Sequence, residues 1–148
     1  MDGCTNYAVL SEADRAQGNT QPSYDRNDWG LVTGWYRFQG AAGDRMADKC
    51  VLMYRCGTRY PAWLNGTHPT VAEGVVTRTV CFSRWGSCCY PSKIIKMKNC
   101  NGYYVYELHR TISLFPFNHD YHWLSRYCGN AGAGKLHLSN VSIANLSN

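Results

Sequence analysis

Ile94-Ile95-Lys96-Met97-Lys98-Asn99-Cys100-Asn101-Gly102-Tyr103-Tyr104-Val105-Tyr106-Glu107-Leu108 decides the fold class. Asn-Gly between two apolar runs is the strongest short-range signal for a β-hairpin, because both residues tolerate the positive φ that a tight turn demands. The flanks fit. Alternation places Ile95 and Met97 inward and Lys96 and Lys98 outward on a strand over Lys93–Asn99. Tyr103–Leu108 is the returning strand, rich in aromatic and β-branched residues.

Outward from this hairpin the β reading continues. Val75–Phe82 is rich in valine and threonine and reads as a strand. Leu31–Phe38 reads as another, with Tyr36 and Phe38 on one face and Trp35 and Arg37 on the other. A short helix is expected over Tyr7–Arg15, a loop or one helical turn over Ala41–Cys50, and a loop over Gln17–Asp28. Ile112–Tyr127 is aromatic and irregular. Gly129–Gly134 reads as a flexible joint, and Leu136–Leu146 as an extra strand or tail. The expected organisation is a small, mainly β, disulfide-rich antiparallel domain with short helical segments over residues 1–128, followed by a C-terminal tail over 129–148.

The cysteines set the compartment. Cys4, Cys50, Cys56, Cys81, Cys88, Cys89, Cys100 and Cys128 make eight in 148 residues. An even count in a short chain points to full pairing and an oxidising, extracellular location. Three sequons, at Asn65, Asn140 and Asn145, agree with it. Zinc is the competing use of cysteine, but no Cys-x2-4-Cys knuckle is present. Met1-Asp2-Gly3-Cys4 has neither the basic start nor the apolar run of a signal peptide, so the chain reads as a processed fragment. No apolar run is long enough to span a membrane.

The formal net charge is +5, and only 17% of residues are charged, against about 25% in ordinary globular domains. Lys93, Lys96 and Lys98 form the one basic cluster and read as the solvated face of a strand, so nucleic acid is not an expected partner.

Catalytic patterns are lacking. His119-Asp120-Tyr121-His122 has the spacing of two metal ligands without the glutamate or helix of a zinc-protease motif, and reads as a polar loop. No Gly-x-Ser-x-Gly elbow occurs. A hydrolase or toxin would need converging His, Asp and Glu that the sequence does not advertise. No enzyme activity, metal or cofactor is therefore expected. Trp29, Trp63, Trp85 and Trp123 fall in segments that read as loops or turns, where they either pack over disulfides or stack on sugar rings.

Gly34-Trp35-Tyr36-Arg37-Phe38, Gly43-Asp44-Arg45-Met46-Ala47-Asp48-Lys49-Cys50, Cys56-Gly57-Thr58 and Pro61-Ala62-Trp63-Leu64-Asn65-Gly66-Thr67-His68-Pro69 go further. With Glu73-Gly74-Val75-Val76, Cys81, the Cys88-Cys89 doublet and Cys100 before Tyr103-Tyr104-Val105-Tyr106, they resemble the eight-cysteine domain of the uromodulin type. The resemblance covers about residues 34–128. Spacing alone leaves on the order of a hundred pairings open. The resemblance implies Cys4–Cys100, Cys50–Cys88, Cys56–Cys128 and Cys81–Cys89. A further bridge of uromodulin has no counterpart here. The resemblance also implies a secreted, non-enzymatic glycoprotein module that presents N-glycans, in that family as decoys for mannose-binding bacterial fimbriae. Its partners would be extracellular or carbohydrate-binding proteins. The sequon that follows the Tyr-Tyr-Val-Tyr run in uromodulin is replaced by Glu107-Leu108-His109, whereas that at Asn65 is kept. The alternative is a self-associating subunit of an extracellular filament or matrix, with Lys135–Leu138 and Val141–Ala144 supplying a strand to a neighbour's sheet edge.

Overall fold

The computed structural model describes residues 2–111 and 124–132. Asn101 and Gly102 take φ of 63° and 118°, and the turn is closed by Cys100 N–H donating to the Tyr103 carbonyl at 2.7 Å. Among the described residues this hairpin is the centre of a single curled sheet of seven strands: β1 (Ala8–Leu10), β2 (Gly34–Phe38), β3 (Tyr60–Asn65), β4 (Val75–Phe82), β5 (Ser92–Asn99), β6 (Tyr104–Leu108) and β7 (Ser125–Tyr127). Their spatial order is β1-β2-β6-β5-β4-β3-β7. From β2 to β3 every neighbouring pair is antiparallel, with Met97 opposite Tyr106 and Met97 opposite Val76 fixing the register of the middle three.

The two edges depart from the antiparallel expectation. β1 runs parallel to β2 and β7 parallel to β3. Parallel neighbours need long connections, and here each edge strand is a short segment recruited across such a connection rather than a hairpin arm. The Tyr7–Arg15 segment accordingly holds β1 and a 3-10 turn at Ala13–Arg15 instead of a helix. Ser125–Tyr127, expected to be irregular, is a wholly buried strand.

Both faces of the sheet are used, because successive side chains of a strand point to opposite sides. On one face lies the main core: Phe38, Leu64, Val80, Phe82, Ile95, Met97, Tyr106, Leu108 and Tyr127. Ile95 and Met97 are buried while Ile94 and Lys96 are exposed, and Tyr36 and Phe38 are buried beside half-exposed Trp35 and Arg37, as the alternation requires. On the other face Trp63 packs with Ala47, Val51 and the cysteines at 56, 81 and 128. Trp63 therefore sits on a strand, correcting its reading as a loop residue. Its indole N–H donates to the Cys88 carbonyl at 2.9 Å and reaches Ser83 Oγ at 3.2 Å.

Four disulfides join Cys4 to Cys100, Cys50 to Cys88, Cys56 to Cys128 and Cys81 to Cys89. The first fastens the N-terminal segment to the β5–β6 turn, where Tyr103 Oη donates to the Cys4 carbonyl and the Arg37 guanidinium lies 4.0 Å from the Tyr103 ring centre. The other three gather around Trp63.

Gly129–Ala131, expected to begin a joint, are built into the body. Gln17 N–H donates to the Gly129 carbonyl, Gly18 N–H to that of Ala131, and Asn130 N–H to that of Arg45. A β-carbon at Gly129 would collide with the Ala42 carbonyl oxygen. His119, His122, Trp123, Asn140, Asn145 and the strand expected over Leu136–Leu146 lie outside the described residues.

Candidate functional site around the Asn65 sequon

Asn65 is the last residue of β3, opposite Thr79 of β4, and is exposed, as are Gly66 and Thr67. Its side chain leaves the sheet on the Trp63 side, since Leu64 points into the main core. The sequon is thus the point where a buried strand emerges into solvent.

The residues that follow are held one after another. Arg78 Nε donates to the Thr67 carbonyl at 2.9 Å, and Asn99 Nδ2 to the Pro69 carbonyl at 2.9 Å. Thr70 caps the 3-10 turn Val71–Glu73 in a reciprocal capping box, with its N–H donating to Glu73 Oε2 at 2.6 Å. That bond, with the Thr70 hydroxyl and Arg78, holds the Glu73 carboxyl below its ordinary range.

His68 is the keystone. Its side chain is 5% exposed. Nε2 lies 2.7 Å from Tyr106 Oη, which also accepts the Met46 N–H at 2.9 Å. Burial keeps the Tyr106 hydroxyl protonated far above its usual range. His68 Nδ1, the other ring nitrogen, lies 3.5 Å from Asp48 Oδ2. The ring packs on Tyr104 at 4.5 Å between centres, and the Arg45 guanidinium covers that tyrosine at 5.0 Å. Burial is the main force pushing the His68 pKa below 6.5; nearby Arg45 adds to it, and Asp48 opposes it.

The sign of the pH effect follows. Above about pH 6.5 the imidazole is neutral in both states and contributes nothing. Below it the unfolded chain takes up a proton that the folded loop still excludes, so stability falls as pH drops from 6.5 towards the lower folded value. A urea midpoint measured at about pH 7.5 and about pH 5.5 should shift less in His68→Gln than in the parent. An equal shift in both would remove His68 as the cause.

The polar centre at the other edge of the sheet escaped the sequence reading. Arg15 makes a bidentate pair with Asp28 at 2.8 and 3.0 Å, and Asp28 Oδ2 also accepts the Tyr127 N–H at 2.8 Å. Arg126 reaches Asp14 at 2.8 Å, Glu12 at 3.3 Å and the Cys56 carbonyl at 3.2 Å. Arg15, Asp28 and Arg126 are all buried. Glu12, Asp14, Arg26 and Arg126 line a hollow of about 500 Å³ in which the two signs balance. Among the described residues no group of three or more His, Cys, Asp or Glu is placed to hold a metal ion.

The comparisons with known proteins point one way. The family model for the uromodulin-like eight-cysteine domain matches residues 36–129. Pancreatic secretory granule membrane major glycoprotein GP2 of Canis lupus familiaris is 47% identical over 113 residues, which is 74% of this chain and 21% of the relative. GP2 of Homo sapiens is 42% identical over 114 residues, 75% of this chain and 20% of the relative. Uromodulin of Rattus norvegicus is 51% identical over 109 residues, 73% of this chain and 16% of the relative. The chain thus spans about a fifth of the length of the curated relatives it matches. Its eight cysteines are all bridged, a state that belongs to the oxidising, extracellular side of the secretory pathway. On this match and these identities, the chain belongs to the family of uromodulin-like eight-cysteine domains.

Proposed function

We propose that this domain is a non-enzymatic extracellular module that carries an N-glycan at Asn65 and offers it to carbohydrate-binding proteins. One observation supports the reading above others. The acceptor stands exposed at a strand end, while the next residues are clamped by Arg78, Tyr106, Asn99 and Glu73. A sugar chain rooted there has a fixed origin and direction, so a lectin does not have to order the protein loop in order to bind. Two of the four disulfides, Cys50–Cys88 and Cys81–Cys89, brace the same face of the sheet. Asn140 and Asn145 would add glycans on the C-terminal segment. The filament reading rests on the residue 135–144 segment, and nothing among the described residues favours it.

Protein secreted from a eukaryotic host should lose the mass of one glycan at Asn65 on enzymatic deglycosylation, and Asn65→Gln should lack that mass from the outset. The parent should be retained by an immobilised mannose-binding lectin more strongly than Asn65→Gln. A bare Asn65 in the secreted protein would end the proposal.

A further inference from the structure

Beyond the end of β4, three aromatic rings from distant segments come together, Trp85 exposed and Tyr24 and Tyr54 half-buried. Tyr24 and Tyr54 lie 4.8 Å apart between ring centres, and Tyr54 and Trp85 5.9 Å apart. Trp85 is 72% exposed, and Leu52, two residues before Tyr54, and Tyr90, five residues after Trp85, are exposed too. The Arg84 guanidinium stacks 4.2 Å from the centre of the Tyr90 ring. A lone exposed apolar side chain is ordinary, whereas several grouped together mark an interaction surface.

The exposure is imposed by the local structure. Trp85 and Gly86 form the tip of a tight hairpin, closed by Arg84 N–H donating to Ser87 O at 2.9 Å and Ser87 N–H to Arg84 O at 3.2 Å. Gly86 takes φ of 74°, the left-handed region open to glycine. Cys81–Cys89 closes the base of this tip, and Cys50–Cys88 ties it to the loop that carries Leu52 and Tyr54. Two cross-links therefore hold Trp85 out and keep Tyr54 against its edge.

The charge around Tyr54 and Trp85 is mainly positive, and the carboxylate nearest the rings in sequence is Asp25, beside Tyr24. Residues 49–60 and 82–93 carry Lys49, Arg55, Arg59, Arg84 and Lys93 and no aspartate or glutamate. Asp25, next to Tyr24, is engaged by Ser23 Oγ at 3.2 Å. The chemistry that fits a flat, open indole beside a guanidinium is a ring with an apolar face and an anionic rim. A peptide anchor would need a pocket to fill, and Trp85 stands proud of the surface at a turn tip.

We infer that Trp85, Tyr54 and Tyr24, with Arg84 and Tyr90, form a binding surface for an anionic saccharide, a pyranose bearing a carboxylate or a sulfate. The sugar's C–H face lies on the indole and its anionic group meets Arg84. This surface is independent of the glycan at Asn65 and takes its ligand from another molecule.

The test uses the secreted, fully oxidised protein and three probes: sialyllactose, a 6-sulfated galactose disaccharide and neutral lactose. Saturation-transfer NMR should show contact with both anionic probes, and the Trp85 indole N–H resonance should shift on titration. Trp85→Ala should bind about tenfold more weakly and Trp85→Tyr should retain binding. Arg84→Gln should bring the anionic probes down to the affinity of lactose. If only one of sialyllactose and the sulfated disaccharide binds, the anion is identified as carboxylate or sulfate and the surface stands. Unchanged binding in Trp85→Ala, equal binding of all three probes, or no indole shift in the unaltered protein would each overturn the inference. So would tighter binding of an aspartate-rich peptide, run as a fourth probe, which would make the surface a protein-docking site. Intact disulfides, read by non-reducing peptide mapping, establish that each variant is folded.

Discussion

Asp28→Ala is expected to lower the unfolding free energy by about 3–5 kcal/mol, the cost of stranding a buried charge. Arg15 is 4% exposed and spends both terminal nitrogens on Asp28. Without the carboxylate its charge has only Glu12, on the rim, and the Tyr127 carbonyl. The Tyr127 N–H loses its acceptor as well. The double variant Arg15→Met, Asp28→Leu should recover much of the loss, because it removes the charge along with its partner. It should not recover all of it, since the Tyr127 N–H stays orphaned. Guanidinium unfolding under non-reducing conditions reads both numbers. A loss under about 1 kcal/mol for Asp28→Ala would mean that water reaches Arg15 and that the pair is a surface one.

The second large effect concerns the cross-links. Replacing Cys56 and Cys128 together by alanine should cost about 4 kcal/mol, and replacing Cys81 and Cys89 about 2 kcal/mol less than that, in the chain-entropy account. The bridges span sequence separations of 72 and 8, and the longer one removes more freedom from the unfolded chain. Both sulfurs of the long bridge also sit in fully buried residues around Trp63, so their loss leaves space as well as slack. Equal losses for the two paired variants would show that strain or packing, rather than loop closure, sets the value of these bonds.

Legibility of the fold tracked the range of the forces involved. Asn101-Gly102 was readable because positive φ is a property of those two residues and needs no neighbour. Ile95 and Met97 were readable because one buried face along a strand writes an alternation into adjacent positions. Trp63 was not, since Pro61 within the same strand and Gly66 just after it both read as loop chemistry. Pro61 is tolerated because it lies just past Ala62 and Phe82, the last residues paired between β3 and β4, where no donor is demanded of it, while its carbonyl accepts the Ser83 N–H. β7 was hidden more deeply. Ser125-Arg126-Tyr127 has three residues and a charge in the middle, and Arg126 is buried only because Asp14 and Glu12 meet it from 112 and 114 positions away. No local window contains that information. The candidate site divides the same way. A sequon is a tripeptide and can be read at sight, whereas the contacts that pin it, His68 to Tyr106 and Asn99 to Pro69, join residues 38 and 30 apart. Trp85 stood out in the sequence, but Tyr24 and Tyr54 became its neighbours only through the fold.

The bond between Cys56 and Cys128 also imposes a timetable. A ribosome adding about 5–20 residues per second leaves Cys56 waiting several seconds for a partner made 72 residues later. Cys4 and Cys50 are already in the oxidising lumen, and during that wait Cys81, Cys88, Cys89 and Cys100 join them, all thiols on a flexible chain. Cys81 and Cys89 close a short loop and can join early, but any bond Cys56 makes before Cys128 arrives has to be undone by thiol exchange. Correct pairing at Cys56 is thus open to completion only after Cys128 has emerged. The same late bond carries the neighbouring Arg126 into its buried seat between Asp14 and the Cys56 carbonyl. A chain that stalls or is cut short of residue 128 keeps an exposed thiol at Cys56 and lacks that seated arginine, two marks by which retention in the secretory pathway can tell an unfinished domain from a finished one.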